Sequence, residues 1–192
     1  MARWTLATAA LAVLSALPAA AQDRPILRPT RDLAVVYRVQ ATGPNGQAET
    51  RTVRMYWTSQ GTRLRLETEG QPGFGLVDYG AGRMTMVMLP QKAYAEVTFD
   101  ADHAPGLNIP PGAAVDRSGT ATVAGTACTE WTVRGPQGGG TACITSDGLV
   151  LRVSGAQPGE APAMEAVSVA YGPQPASLFA LPSGLHRIEP PQ

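Results

Sequence analysis

Asp32-Leu33-Ala34-Val35-Val36-Tyr37-Arg38-Val39 sets Leu33, Val35, Tyr37 and Val39 against Ala34, Val36 and Arg38. A period of two marks a strand with one buried face, because successive side chains of an extended chain point to opposite sides. The same period returns along the chain. On Thr52–Thr58 it puts Val53, Met55 and Trp57 on one face. On Thr62–Glu69 it sets Leu64, Leu66 and Thr68 against Arg63, Arg65 and Glu67. Phe74–Asp78 and Arg83–Leu89 flank Tyr79-Gly80-Ala81-Gly82 as a hairpin, and Ala93–Phe99 follows the turn Pro90-Gln91-Lys92. Arg117–Val123, Thr126–Arg134, Thr141–Ser146, Leu149–Ser154 and Glu165–Tyr171 continue the pattern. Gly43-Pro44-Asn45-Gly46 is a turn, Asp100–Pro111 and Gln157–Pro162 are loops, and Ser177–Leu181 before Pro182 is a short docking segment. No long stretch carries a helical period. The expectation is an all-β domain with little helix, an antiparallel meander of about nine to eleven strands.

Composition agrees with that class. The chain has 192 residues, of which 21 are Gly and 17 Pro, a frequency that suits many short strands and turns. Fifteen Lys+Arg balance fifteen Asp+Glu, so the basic excess of a nucleic-acid binder is missing. With 16% charged and 44% hydrophobic residues, the charge-rich disordered class is excluded as well.

Met1 to Ala21 has the form of a secretory signal peptide. Arg3 supplies the positive start, Thr5 to Leu17 is uncharged, and Ala19-Ala20-Ala21 before Gln22 is a small-residue cleavage site. The apolar run is too short to span a bilayer, and no later segment is long enough. No cysteine follows the cleavage site, so a lipid anchor there is not indicated. The expected organisation is a signal peptide over 1–21, an extended N-terminal arm over 22–31 and a single β domain over 32–189. The arm is expected to make few contacts with the sheet. The protein is expected to be exported, periplasmic in a Gram-negative bacterium or secreted.

Export makes Cys128 and Cys143 informative, because they are the only cysteines and their connectivity is unambiguous. They flank Gly135-Pro136-Gln137-Gly138-Gly139-Gly140, read as a turn. A hairpin register that sets Cys128 opposite Cys143, and Val133 opposite Gly138, allows a disulfide. A redox pair would more often be spaced Cys-x-x-Cys, so the bridge is read as structural.

Three stretches carry a resemblance. They are Val77-Asp78-Tyr79-Gly80-Ala81-Gly82-Arg83-Met84 running into Lys92-Ala93-Tyr94-Ala95-Glu96, then Thr122 to Trp131 with the Cys143-to-Gly148 strand and turn, and finally Ser177 to Leu185. Together they resemble an uncharacterised secreted family, a domain of unknown function similar to the periplasmic LolA/LolB and RseB carrier fold. That resemblance implies a strongly curved antiparallel sheet, an unclosed half-barrel, with small helices or loops over its concave face. In the named relatives the concave face receives acyl chains. This sequence differs in having no room for the longer lid helices of the lipoprotein carriers.

Signs of catalysis are sparse. His103 and His186 are the only histidines, and Asp100-Ala101-Asp102-His103 is the composition of an ordinary solvated loop as much as of a cation site. No nucleophile elbow, zinc-protease or phosphate-loop spacing occurs. No catalytic residue, metal site or cofactor is assigned. The informative constellation is apolar. Met84, Met86 and Met88 share one face of a strand, as do Met55 with Trp57 and Leu64 with Leu66. Methionine is over-used on surfaces that accept varied apolar partners, although the same alternation also fills a core. These seven residues and Trp131 are the candidate ligand-binding set on the concave face. The expected function is non-catalytic binding of a lipid, an acyl chain or an acylated partner. The alternative is an envelope interaction or sensor module with a filled core and no ligand. A cavity of several hundred cubic ångströms would separate the two.

Overall fold

Leu33–Thr42 (β1) is the hub of the architecture, because it pairs along both edges. On one side follow Ala48–Thr58 (β2), Arg63–Thr68 (β3), Gly73–Asp78 (β4), Arg83–Met88 (β5) and Ala93–Thr98 (β6), each antiparallel to the last. The chain then crosses to the far edge and returns through Ala114–Val123 (β7), Thr126–Gly135 (β8), Gly138–Ile144 (β9), Val150–Gly155 (β10) and Met164–Tyr171 (β11). Strand β11 closes on the free edge of β1, and His186–Ile188 (β12) adds parallel to β6. The result is one curved, unclosed antiparallel sheet of twelve strands, an almost all-β fold. The computed structural model describes residues 24–43, 45–58, 60–100, 103–106, 108–110, 112–136, 138–155 and 161–189. The expected signal peptide, its cleavage point between Ala21 and Gln22, and the first two residues of the arm lie outside them.

The count exceeds the expected range by one strand. Strand β12 is too short to show a period, and its backbone joins β6 in parallel, with His186 opposite Ala93 and Ile188 opposite Ala95.

Register assigns the faces. Leu33 lies opposite Trp57, Val35 opposite Met55, Trp57 opposite Leu64, Leu64 opposite Val77 and Val77 opposite Met84. Residues opposed across a ladder share a face. Leu33, Val35, Tyr37, Trp57, Leu64 and Val77 are all at most 7% exposed and form the inner, concave face. A register shift between Val36 and Tyr37 inserts Val167 of β11 as an extra residue, and such bulges bend a sheet locally.

The outer face of β3–β6 is not left wet. Thr85 and Val87 point away from the methionine face, yet they are only 8% and 3% exposed. The C-terminal segment covers them. Its single helical turn, Ala176–Phe179, packs on β3, where Arg65 donates to the Leu178 carbonyl at 2.8 Å and stacks on Phe74. The segment then passes Leu76 and Thr85 with Phe179 and Leu181 before entering β12. The docking segment expected at Ser177–Leu181 is thus part of a strap.

Cys128 and Cys143 are bridged, with Cα atoms 5.4 Å apart. The register differs from expectation by two residues: Cys143 faces Glu130, and Val133 faces Gly140. The bridge therefore runs diagonally. Gly138-Gly139-Gly140 belongs to β9, where ideal Cβ atoms on Gly139 and Gly140 would lie 2.4 and 2.5 Å from the carbonyl oxygens of Val133 and Ser154. The triple glycine permits close strand approach, so that β8 runs to Gly135 and β9 begins at Gly138. Replacing both cysteines by alanine should lower stability by about 3 kcal/mol, read as a lower urea midpoint, with the β-sheet spectrum retained.

Candidate functional site

Residues 24–31 were expected to stand off the sheet, and they do not. Pro29 is fully buried, and the Thr30 amide donates to the Asp147 carbonyl at 2.8 Å. Two turns from opposite halves of the sheet grip the arm. Gly61, before β3, has φ +79°, and a Cβ there would sit 2.1 Å from the Pro29 carbonyl oxygen. Gly148, before β10, has φ +91°, and a Cβ there would sit 2.3 Å from the Arg28 carbonyl oxygen. Only glycine fits both the backbone and the approach. Two cation–π contacts add to the hold: Arg28 lies 4.6 Å from the Tyr79 ring centroid, and Arg31 4.2 Å from that of Tyr171. The sequence hid this because an arm rich in Pro and Arg has no periodicity to read.

Beneath the arm the concave face holds two neighbouring compartments. The larger, about 930 Å³, is walled by Tyr37, Val39, Met55, Trp57 and Leu64 from β1–β3 and by Leu149, Val150 and Met164 from the other half. The arm from Ile26 to Thr30 and the loop Ala104–Gly106 line it as well. The smaller, about 690 Å³, is walled by Trp131, Val133, Ala142 and Ile144, with Pro25 of the arm. Leu27 and Val153 line both, so the compartments belong to one trough.

The walls are held by buried hydroxyls and stacked rings. Tyr37 donates to the Val150 carbonyl at 2.7 Å, tying the two halves together. Tyr79 stacks on Trp57 at 5.9 Å between centroids and donates to the Pro105 carbonyl at 2.7 Å, which anchors the loop. The Trp57 indole nitrogen is buried without a hydrogen-bond partner. Among the described residues, Arg28 is the one charged side chain that lines the larger compartment, and none that lines either compartment is a carboxylate.

Burial pushes the Tyr37 hydroxyl well above the ordinary tyrosine range, and burial raises Tyr79 too, against the opposing pull of Arg28. An unfolded tyrosine ionises near pH 10. As pH rises past that value, the unfolded chain releases a proton that folded Tyr37 keeps, so stability falls, by about 1.4 kcal/mol per pH unit for one such group. Tyr37→Phe removes this component, along with one hydrogen bond. Its urea midpoint should start lower at pH 8 and then fall less steeply than wild type between pH 10 and 11.5.

The candidate ligand set divides three ways. Met55, Trp57 and Leu64 line the larger compartment, and Trp131 the smaller. Leu66 and Met84 pack against the core from the inner face without lining either one. Met86, 43% exposed, and Met88 lie on that face over β5 beyond both compartments. Tyr37, Leu149, Met164, Tyr79 and Leu27 were not in the set. Tyr37 shares the period-two face with Val35, so that signal was present; Leu27 had none. Of the Asp100–His103 cluster, His103 Nδ1 lies 2.6 Å from Asp100 Oδ1, while Asp102 is outside the described residues. Among the described residues no three His, Cys, Asp or Glu side chains gather to hold a metal.

No protein-family model and no curated protein matches this chain. Solved structures do share its fold. An uncharacterized conserved protein from Thermus thermophilus aligns with TM-score 0.58 at 10% identity, over 84% of this chain and 91% of that one. MucB of Pseudomonas aeruginosa, determined as a complex with MucA, aligns with TM-score 0.53 at 16% identity, over 82% of this chain and 58% of that one. PNGF-II aligns with TM-score 0.52 at 12% identity, over 83% of this chain and 32% of that one. The chain thus spans little more than half of MucB. At these identities the likeness is one of fold alone. No specific family follows from it. Among the described residues no helix is long and apolar enough to cross a membrane.

Proposed function

We propose that this chain is an exported, non-catalytic binding module of the bacterial envelope, with no cofactor, that takes a lipid, an acyl chain or an acylated partner into the trough beneath its N-terminal arm. The carrying observation is the compartment of about 930 Å³, apolar in most of its lining. Its volume lies in the range of sites that enclose small ligands. A filled-core module would have closed this space with side chains. Native mass spectrometry of protein purified from a periplasmic extract should reveal bound lipid, and the purified protein should take up a fluorescent fatty-acid probe. Protein that carries no lipid and takes up no probe would remove the proposal.

Two substitutions localise the site. Leu27→Arg places a charge where both compartments meet, on an arm that takes part in no strand pairing among the described residues. Probe uptake should drop at least about tenfold, the cost of desolvating a charge there. Met86→Arg, on the half-exposed β5 surface, should keep both the fold and the uptake.

A second reading rests on MucB having been determined with MucA bound. In that reading the ligand is an envelope protein. Pull-down from periplasm with wild type and Leu27→Arg, followed by identification of a specific partner, tests it.

A further inference from the structure

Three observations at one end of the larger compartment point the same way. Arg28, exposed at the rim, is its one charged lining residue among those described, and no described carboxylate pairs with it. Several arginines on the sheet are matched, Arg38 with Glu165, Arg63 with Asp78, Arg65 with Glu67 and Arg152 with Glu130, although Arg54 has no such partner among the described residues. Arg28 is instead held face-on against Tyr79, which leaves the in-plane N–H groups of its guanidinium for another acceptor. Tyr79 in turn stacks on Trp57, which is only 7% exposed and whose indole N–H has no acceptor. A buried donor without a partner is uncommon in a well-packed protein, and a ligand oxygen is one way to satisfy it. The far end of the compartment, by contrast, is mostly apolar, with Val39, Met55, Val153 and Met164 beside the single polar side chain of Gln40.

We infer that the compartment selects amphiphiles whose head carries an anionic oxygen, with Arg28 as the ion-pairing group and the Trp57 N–H as a hydrogen-bond donor. The inference rests on the carrier reading above and adds the class of ligand. The tail lies along Val39, Met55 and Met164, and the head reaches the Arg28–Tyr79–Trp57 stack. A cationic head would meet a guanidinium with no carboxylate among the described lining residues to offset it. A neutral head would leave the charge-assisted bond unmade. The same oxygen chemistry is offered by a free fatty acid and by the phosphate of a lysophospholipid.

Displacement of a neutral fluorescent probe, measured for four ligands with the same chain, tests the inference. The ligands are palmitate, monopalmitoylglycerol, palmitoyl lysophosphatidylglycerol and hexadecyltrimethylammonium. Palmitate or the lysophospholipid should bind about tenfold more tightly than monopalmitoylglycerol, and the ammonium most weakly. Added salt should narrow the gap. Tighter palmitate would mark a free acid as the ligand, and tighter lysophosphatidylglycerol a lipid headgroup. Arg28→Gln, a rim change that leaves the core untouched, should bring palmitate to the level of monopalmitoylglycerol while leaving the latter unchanged. Trp57→Phe should lower palmitate affinity, spare monopalmitoylglycerol and remove the part of the palmitate-induced change in tryptophan emission that Trp131 does not supply. Equal affinity for all four ligands, or preference for the ammonium, overturns the inference and leaves the carrier reading standing. Failure of every ligand to displace or bind overturns the carrier reading itself.

Discussion

Ending the chain at Gly172 is expected to cost about 5 kcal/mol or more and to leave a protein that aggregates when warmed. The segment removed is the strap across the outer face of β3–β6. Without it Val87 and Thr85, now 3% and 8% exposed, face water, and so do Phe74 and Leu76 beside them. Each apolar side chain returned to water costs about 1.5–3 kcal/mol, and a few of them equal much of the stability of an ordinary domain. Strand β6 would also lose its parallel partner and become a bare edge, a template for unwanted pairing. Thermal denaturation by circular dichroism, with light scattering alongside, measures both effects. A truncated protein melting within a few degrees of the full chain would show that the strap contributes little. Phe179→Asp supplies a milder version, with a loss expected in the same direction.

Gly148→Val should be nearly as damaging, and its effect should concentrate on the arm. At φ +91° a β-branched residue is strained by roughly 1–3 kcal/mol. Its Cβ would also fall 2.3 Å from the Arg28 carbonyl, which is backbone and cannot rotate away. With overpacking of about 1–3 kcal/mol added, the total is about 4 kcal/mol unless the arm leaves. Release of the arm is the cheaper response. Trypsin should then cut after Arg31 faster than in wild type, where the backbone on either side is held by the Thr30–Asp147 hydrogen bond and by β1, and probe should leave the larger compartment faster. Gly46→Ala is the control. It has a comparable φ of +74° with nothing within 4 Å, so it should cost about 1 kcal/mol or less and leave the arm in place. Unchanged proteolysis in Gly148→Val would refute the clamp.

Much of the sheet was legible because alternation is a direct imprint of a half-buried strand. Leu33 to Val39, Leu64 with Leu66, and Met84 to Met88 were assigned to the correct face by period alone. Three features escaped, each for a physical reason. Glycine has no side chain to alternate, so Gly138 to Gly140 read as a turn and shifted the cysteine register by two. Strand β12, three residues long, offered too few positions for a pattern, and its parallel pairing is set by where the strap delivers it. The arm is held by its carbonyls and Pro29 against two glycines, contacts that leave no apolar stripe. The candidate site was half visible for the same reasons. Period two told which face Met86 shares with Met55, but the compartment exists only where the arm and the Ala104–Gly106 loop cover that face.

The central position of β1 has a kinetic consequence. It is among the first strands to leave the ribosome, and β2 can pair with it at once. Its other edge, however, waits for β11, where Leu33 meets Tyr171. Nearly the whole sheet must be synthesised before the middle of it is complete. Closing so long a stretch of chain is entropically slow, which places folding in milliseconds to seconds, as for other sheets dominated by non-local pairing. Throughout that interval Leu33, Val35 and Tyr37 lie along an open edge, the most adhesive in the molecule. The nascent chain should therefore depend on holding chaperones far more than the finished protein's stability would suggest.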